Sequence, residues 1–330
     1  MRLSVLDQSV ALVGSGEDAA IRDTLDLAVH CEALGYARFW LSEHHGLPTI
    51  VGSAPEILMA AIAARTRTIR IGSAGVMLPH YSALKVAEQF RVLEALAPGR
   101  IDLGVGRAPG GDMRTARALN PNAYEAAEAF PEQVRDLIAW TAAGRHQGIT
   151  AHPLGPHAPE VWILGSSDYG AQLAAHFGLP YAFAYFFTDG RGAAEALDIY
   201  RRLYRPSERH PKAQATVCVW ALVAETRAEA LHHALSRERW RVDRARGVFG
   251  PLHDPATVAA EGHAAADLPT VEAMRAKAFV GTAGEVGEQL RVLARTLGLD
   301  EIVVNTWAHD PQVRRRSYAL LAREFELAPA

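Results

Sequence analysis

Residues 69–107 read IRIGSAGVMLPHYSALKVAEQFRVLEALAPGRIDLGVGR. A β-rich run, Ile69–Ala74, gives way to a segment in which Val86, Phe90, Leu93 and Ala97 recur at helical spacing, one apolar stripe to lay on a sheet. Pro98-Gly99 stops that helix, and a second β-rich run, Ile101–Val105, follows at once. Strand, helix and strand in this order make a βα unit with parallel strands.

The same alternation extends in both directions. The strand candidates are Leu3–Leu6, Arg38–Ser42, Ile69–Ala74, Ile101–Val105, Val161–Leu164, Tyr181–Ala184, Thr216–Val223 and Glu301–Thr306. Several are unbroken apolar runs, as expected of strands covered on both faces. Ile21, Leu25 and Ala28 mark a first helix, and Val286, Leu290, Leu293 and Leu297 a late one. Pro55 opens another, at a position where its missing N–H costs nothing. Eight such units predict a (β/α)8 TIM barrel, with a doubly wound open sheet as the alternative.

The chain has 330 residues, whereas a bare barrel needs about 250. Three Gly- and Pro-rich stretches absorb the surplus. Arg107–Ala129 carries Pro109, Gly110, Gly111 and Pro121; Gly144–Pro159 and Arg244–Lys277 are similar in character. Long irregular excursions in a compact domain are usually functional covers or disordered segments. The expectation is therefore one barrel domain over 1–330, with insertions after strands 4 and 7 and no second domain.

Composition excludes several functions. With 49% hydrophobic and 22% charged residues and a net charge of -3, the chain has the make-up of a soluble globular protein. It has no basic stripe for nucleic acid or anionic lipid. Arg65, Arg67 and Arg70, and Arg314 to Arg316, are read as decorating element ends. No apolar run approaches the ~20 residues of a membrane span, and the opening MRLSVLDQSVALVGSG is expected to be too short in its apolar runs for a signal peptide. Two cysteines, Cys31 and Cys218, exclude a disulfide framework and fit a reducing cytoplasm.

In a barrel the chemistry lies at the carboxyl ends of the strands. Glu43-His44-His45 follows the second strand. It lacks the spacing of a metal site, because adjacent strand residues point to opposite faces. One histidine there is either a buried hydrogen-bonding group or a proton donor or acceptor at the mouth. Gly104-Val105-Gly106-Arg107 is not a dinucleotide fingerprint, since Pro109 stands at the third glycine position. Arg107 offers a planar fork to a phosphate, and Gly165-Ser166-Ser167 leads into a helix whose free N–H groups favour an anion. The plainer alternative pairs Arg107 with Asp102 or Asp112 and leaves the serines as helix caps. Ser73-Ala74-Gly75 is a run of small residues that lets something flat approach the backbone, or else a simple bulge.

Taken together, four stretches resemble the luciferase-like flavin monooxygenases. They are Phe39 to His45, Ile69 to Pro79, Gly99 to Arg107, and Gly165 to Gly170 followed by Gly178-Leu179-Pro180. Ala87 to Phe90 and Asp300 to Ile302 extend the likeness. The resemblance implies a (β/α)8 barrel that binds reduced FMN without a covalent link and activates O2 as a flavin C4a-peroxide. It implies that His44 governs proton transfer, and that Ser73-Ala74 forms a non-prolyl cis peptide against the flavin ring. It implies further that Arg107 and Ser167 hold the flavin phosphate. Ser166 stands where the family has an acidic residue, and Gly170 where it has a threonine; both are expected beside the phosphate.

The sequence-based expectation is a flavin-dependent monooxygenase acting on a small organic substrate. FMNH2 would come from a separate reductase, although some relatives bind NADPH directly. A homodimer through helices near Pro55–Ala64 and Ala83–Leu96 is expected, with neither nucleic acid nor membrane as partner. No metal is expected. Substrate choice is placed at Asp7–Ser9 and in Arg244–Lys277. The alternatives are a deazaflavin (F420)-dependent dehydrogenase on the same fold, a non-catalytic flavin-binding protein and, more distantly, a metal-dependent barrel hydrolase.

Overall fold

Every expected strand is present in the computed structural model, which describes residues 1–108 and 111–328. Pro109 and Gly110, named in the first excursion, lie outside the described residues. The barrel strands are β1 (Arg2–Asp7), β2 (Arg38–Leu41), β3 (Arg70–Met77), β4 (Ile101–Gly106), β5 (Glu160–Gly165), β6 (Tyr181–Phe183), β7 (Ala215–Ala224) and β8 (Glu301–Asn305). Each pairs in parallel with the next, and β8 pairs with both β7 and β1, which closes the ring. Closure leaves no sheet edge in the barrel and decides against the open sheet. A short strand absent from the sequence reading, Phe279–Thr282, pairs with the second half of β7.

Alternation along the strands divides core from lumen. Val5, Phe39, Ile71, Leu103 and Val219 belong to the outer core, packed with the helical stripe Val86, Phe90 and Leu93. Leu6, Trp40, Trp162, Ala182, Cys218 and Val303 form a separate cluster, and Trp40 meets Trp162 edge to face at 5.1 Å between centroids. Gly72 is required there: a Cβ on it would stand 2.6 Å from Cδ1 of Trp40 and 2.7 Å from Cβ of Asp102. Two residues earlier along the strands the lumen is ionic. Arg38, only 4% exposed, donates to Asp102 at 2.8 Å, to Glu301 at 3.0 Å and to Glu160 at 3.2 Å. Trp40 Nε1–H donates to Asp102 at 2.9 Å and fastens the aromatic layer to the ionic one.

The first helix, Glu17–Ala33, turns a face one residue away from the expected Ile21–Leu25–Ala28 line. Its buried residues are Ala20, Thr24, Leu27, Ala28 and Cys31. Thr24 hides the stripe from sequence because it is polar, yet its hydroxyl is satisfied by Asp7 and the carbonyl of Ala20. The Arg314–Arg316 run pairs locally, Arg314 with Asp7 and Asp23, Arg315 with Asp23 and Arg316 with Glu225.

The excursions are more regular than their composition suggests. The first contains helices Met113–Leu119 and Ala123–Glu128, and the second an antiparallel hairpin, Arg145–His146 with Ile149–Thr150. The third, after helix Arg227–Ala245, contains helices Pro255–Glu261 and Leu268–Arg275. Asp112 and Asp254 cap two of these by accepting from Thr115 and Thr257 backbone N–H groups. Among the described residues, no helix is long and apolar enough to cross a membrane.

Candidate functional site

β3 and β4 approach each other so closely at the mouth that only glycine fits. A Cβ on Gly75 would stand 2.4 Å from Cδ1 of Leu164 and 2.7 Å from the Gly104 carbonyl oxygen; one on Gly104 would stand 2.2 Å from the Ser73 carbonyl oxygen. The register slips here, with Ala74 opposite Gly104 and Val76 opposite Val105, so Gly75 is a bulge. A non-prolyl cis peptide is present, but it joins Ala74 to Gly75. This corrects the expected Ser73-Ala74 bond by one residue. Ser73 is also displaced from its expected place: its hydroxyl donates to the Gly104 carbonyl at 2.8 Å, and Ala74 and Gly75 line the cavity instead.

Across the mouth, the side chains of Arg107, Ser166 and Ser167 make no hydrogen bond among the described residues. Arg107 lies over the ring of Tyr169, its guanidinium carbon 4.2 Å from the centroid. The plainer pairing is ruled out, since Asp102 is engaged by Arg38 and Arg70, and Asp112 caps its own helix. Ser167 is the N-cap of helix Asp168–Phe177 by backbone geometry, but its hydroxyl makes no capping bond. Arg107, Ser166, Ser167 and the first-turn residues Tyr169 and Gly170 of that helix all line the same cavity. Asp168 in the first turn is exposed and opposes an anion there. Gly170 is buried against Tyr181, where a Cβ would stand 3.4 Å from Cε2 of that ring.

His44 is held between β2 and this cavity. Burial, reinforced by His45 and Arg244 and only partly offset by Glu43, pushes its imidazole down to about 4. It is neutral at pH 7, with Nδ1 at 3.2 Å from the Ser42 hydroxyl. Its neighbour Glu43 is a hub that the sequence reading missed. One carboxylate receives the ring N–H of His45 at 2.7 Å, the Tyr81 hydroxyl at 2.7 Å and the backbone N–H of Met77 at 3.1 Å. It thereby clamps the end of β3, two residues beyond the bulge, to the end of β2. Burial and this carboxylate push the Tyr81 phenol well above its ordinary range. Among the described residues no group of three or more His, Cys, Asp or Glu side chains could hold a metal ion.

These groups line one cavity of about 720 Å³, floored by Leu6, Trp40, Cys218 and Val303. A second chamber of about 620 Å³ shares Gln8, His44, Phe186 and Phe187 with it. Of the stretch Asp7–Ser9, Gln8 alone lines these spaces. Asp7 is turned into the helix layer, accepting from Thr24 and Arg314, and the Ser9 hydroxyl lies 2.8 Å from Thr24 Oγ1. Gln8 is locked by Asn305 and Trp307, both of which donate to its carbonyl oxygen, at 2.5 and 3.1 Å.

The family described as luciferase-like monooxygenase matches residues 1–301. The N-acetyl-S-alkylcysteine monooxygenase of Bacillus subtilis is 37% identical, covering 98% of this chain and 97% of that protein. Among solved structures, apo-MsnO8 is 35% identical with a TM-score of 0.94, covering 100% of this chain and 99% of its own. The oxygenating constituent of 3,6-diketocamphane monooxygenase from Pseudomonas putida, a type II Baeyer-Villiger enzyme solved with FMN, shares the fold at 18% identity. Its TM-score is 0.72, with coverage of 100% and 98%.

Proposed function

The chain belongs to the luciferase-like monooxygenase family, and from that premise we propose that it is an FMN-dependent enzyme that oxygenates a small organic molecule with O2. The observation that carries the cofactor assignment is the Arg107 guanidinium stacked on Tyr169 at the start of a helix whose N-cap hydroxyl is unused. An FMN phosphate would take Arg107, the Ser166 and Ser167 hydroxyls and the first-turn N–H groups. Gly170 contributes close backbone approach and no side chain. The flat ring would rest on the Ala74-Gly75 bulge, where no Cβ intervenes at Gly75.

Reduced flavin supplies the two electrons with which O2 is divided between the product and water. The protein fixes the cofactor, excludes water and handles one proton. Neutral His44, held toward Ser42, accepts or donates that proton at the boundary of the two chambers. Helices Pro255–Glu261 and Leu268–Arg275 belong to the segment assigned as cover. Reduced FMN from a separate reductase is part of the reading, with direct use of NADPH as the variant to check. So is a cytoplasmic homodimer. Its support is apolar surface on the two helices expected at the interface: Ile57 is 66% exposed and Leu96 60%.

The test is equilibrium titration with FMN and with F420. Wild-type protein should prefer FMN, and Arg107→Ala should weaken FMN about tenfold or more, the loss of a charge-assisted pair. An unchanged affinity removes the phosphate assignment, and a preference for F420 moves the chain to the dehydrogenase reading. A protein that binds flavin yet never speeds substrate-dependent O2 uptake would be a binder only.

A further inference from the structure

The second chamber has walls of indole and guanidinium. Trp220, Trp240 and Trp307 line it together with Arg237, Arg241 and Arg244. Arg241 is spent on Asp189 in a bidentate pair at 2.9 and 2.7 Å. Arg237 is not spent. Its guanidinium carbon lies 4.2 Å from the centroid of the Trp220 ring, and among the described residues it makes no hydrogen bond or ion pair. The acid beside it in sequence, Glu238, is turned to Arg275, at 2.8 and 2.7 Å.

The remaining charges of the chamber are one cation and one carboxylate, apart from its histidines. Arg244 stands over Trp240, 5.4 Å from the centroid. Asp112, the carboxylate lining the chamber, is occupied in capping its helix. Gln8 presents only donors, since its carbonyl oxygen is taken by Asn305 and Trp307. Burial, with Arg241 close by, pushes the Arg237 guanidinium down to about 9, although Asp189 and Glu238 act the other way. A half-buried cation with no hydrogen-bonding partner among the described residues is costly, and an entering anion relieves that cost.

We propose that this chamber is the substrate site and that Arg237 receives a carboxylate carried on an aromatic or branched apolar body. The apolar part would lie among Trp220, Trp307 and Phe186, and its far end would reach His44, which lines both this chamber and the first cavity. The inference rests on reading that first cavity as the flavin site. It adds the chemical class of the molecule to be oxygenated.

The probes are phenylacetate, 3-phenylpropionate and 1-naphthylacetate, each compared with its primary amide. Binding is read by quenching of indole fluorescence in the wild-type chain and in Arg237→Gln and Arg237→Lys, with and without FMN. At least one acid should bind about tenfold more tightly than its amide in the wild type. Arg237→Gln should erase that preference and Arg237→Lys should retain part of it, with FMN affinity unchanged in both. If no acid outbinds its amide, or if the preference survives in Arg237→Gln, the proposal is overturned. Failure of FMN to bind would appear in the separate flavin titration and would leave the acid and amide comparison readable on its own.

Discussion

His44 is neutral because of where the fold puts it, and that has a consequence in acid. Its folded value is about 4, below the ordinary 6.5, so between these values the unfolded chain takes up a proton that the folded one refuses. Stability is therefore lost as pH falls through this window, by on the order of 3 kcal/mol from this residue. His44→Asn should flatten the stability profile between pH about 6.5 and about 4, measured by urea unfolding at several pH values. Identical profiles for the two proteins would mean that the imidazole is not held neutral. The position of His44, Arg107, Ser166 and Ser167 along the cavity wall was legible in sequence because each follows a strand end. Glu43 was visible but not its role, since two of its three donors, Met77 and Tyr81, lie 34 and 38 residues away. Ser73 was misplaced for a similar reason. The carbonyl that takes its hydroxyl belongs to Gly104, on the neighbouring strand.

Among the elements, the junction of β3 and β4 has the least tolerance. Gly75→Ala forces a methyl against the backbone oxygen of Gly104, and relief requires the strands to part. Overpacking of this kind costs about 1–3 kcal/mol, and under the proposed flavin placement against the bulge the same variant should also lower flavin affinity. Unchanged unfolding free energy and unchanged flavin titration would show that the two strands have slack. The strand boundaries were largely legible, since lumen and core residues alternate within runs bounded by Gly and Pro. β3 was the exception: it runs on to Met77 past the small residues that looked like its end. The excursions were the least legible elements. Their short helices are set by single caps such as Asp112 and Asp254, which leave little periodicity to read.

The whole molecule is a ring tied across its lumen. Asp102 accepts from Arg38 and Arg70 and from the Trp40 indole, so one carboxylate on β4 holds β2 and β3 and anchors the aromatic layer under the cavity. Asp102→Asn leaves the Arg38 cation short of a partner in a buried site, which should cost about 3–5 kcal/mol by urea unfolding. Loss of less than ~1 kcal/mol would show that Glu160 and Glu301 suffice. The eight-unit count made the barrel legible, but this lumen network was not, because its members come from five different strands. We propose that the closed ring serves to hold a reduced flavin away from water at its mouth. The most direct measurement is the return of oxidised-flavin absorbance after reduced FMN and the protein are mixed with O2 in a stopped-flow instrument. The account predicts a slow protein-dependent phase that Arg107→Ala abolishes at limiting flavin and His44→Ala shortens. A time course identical with and without the protein would contradict it.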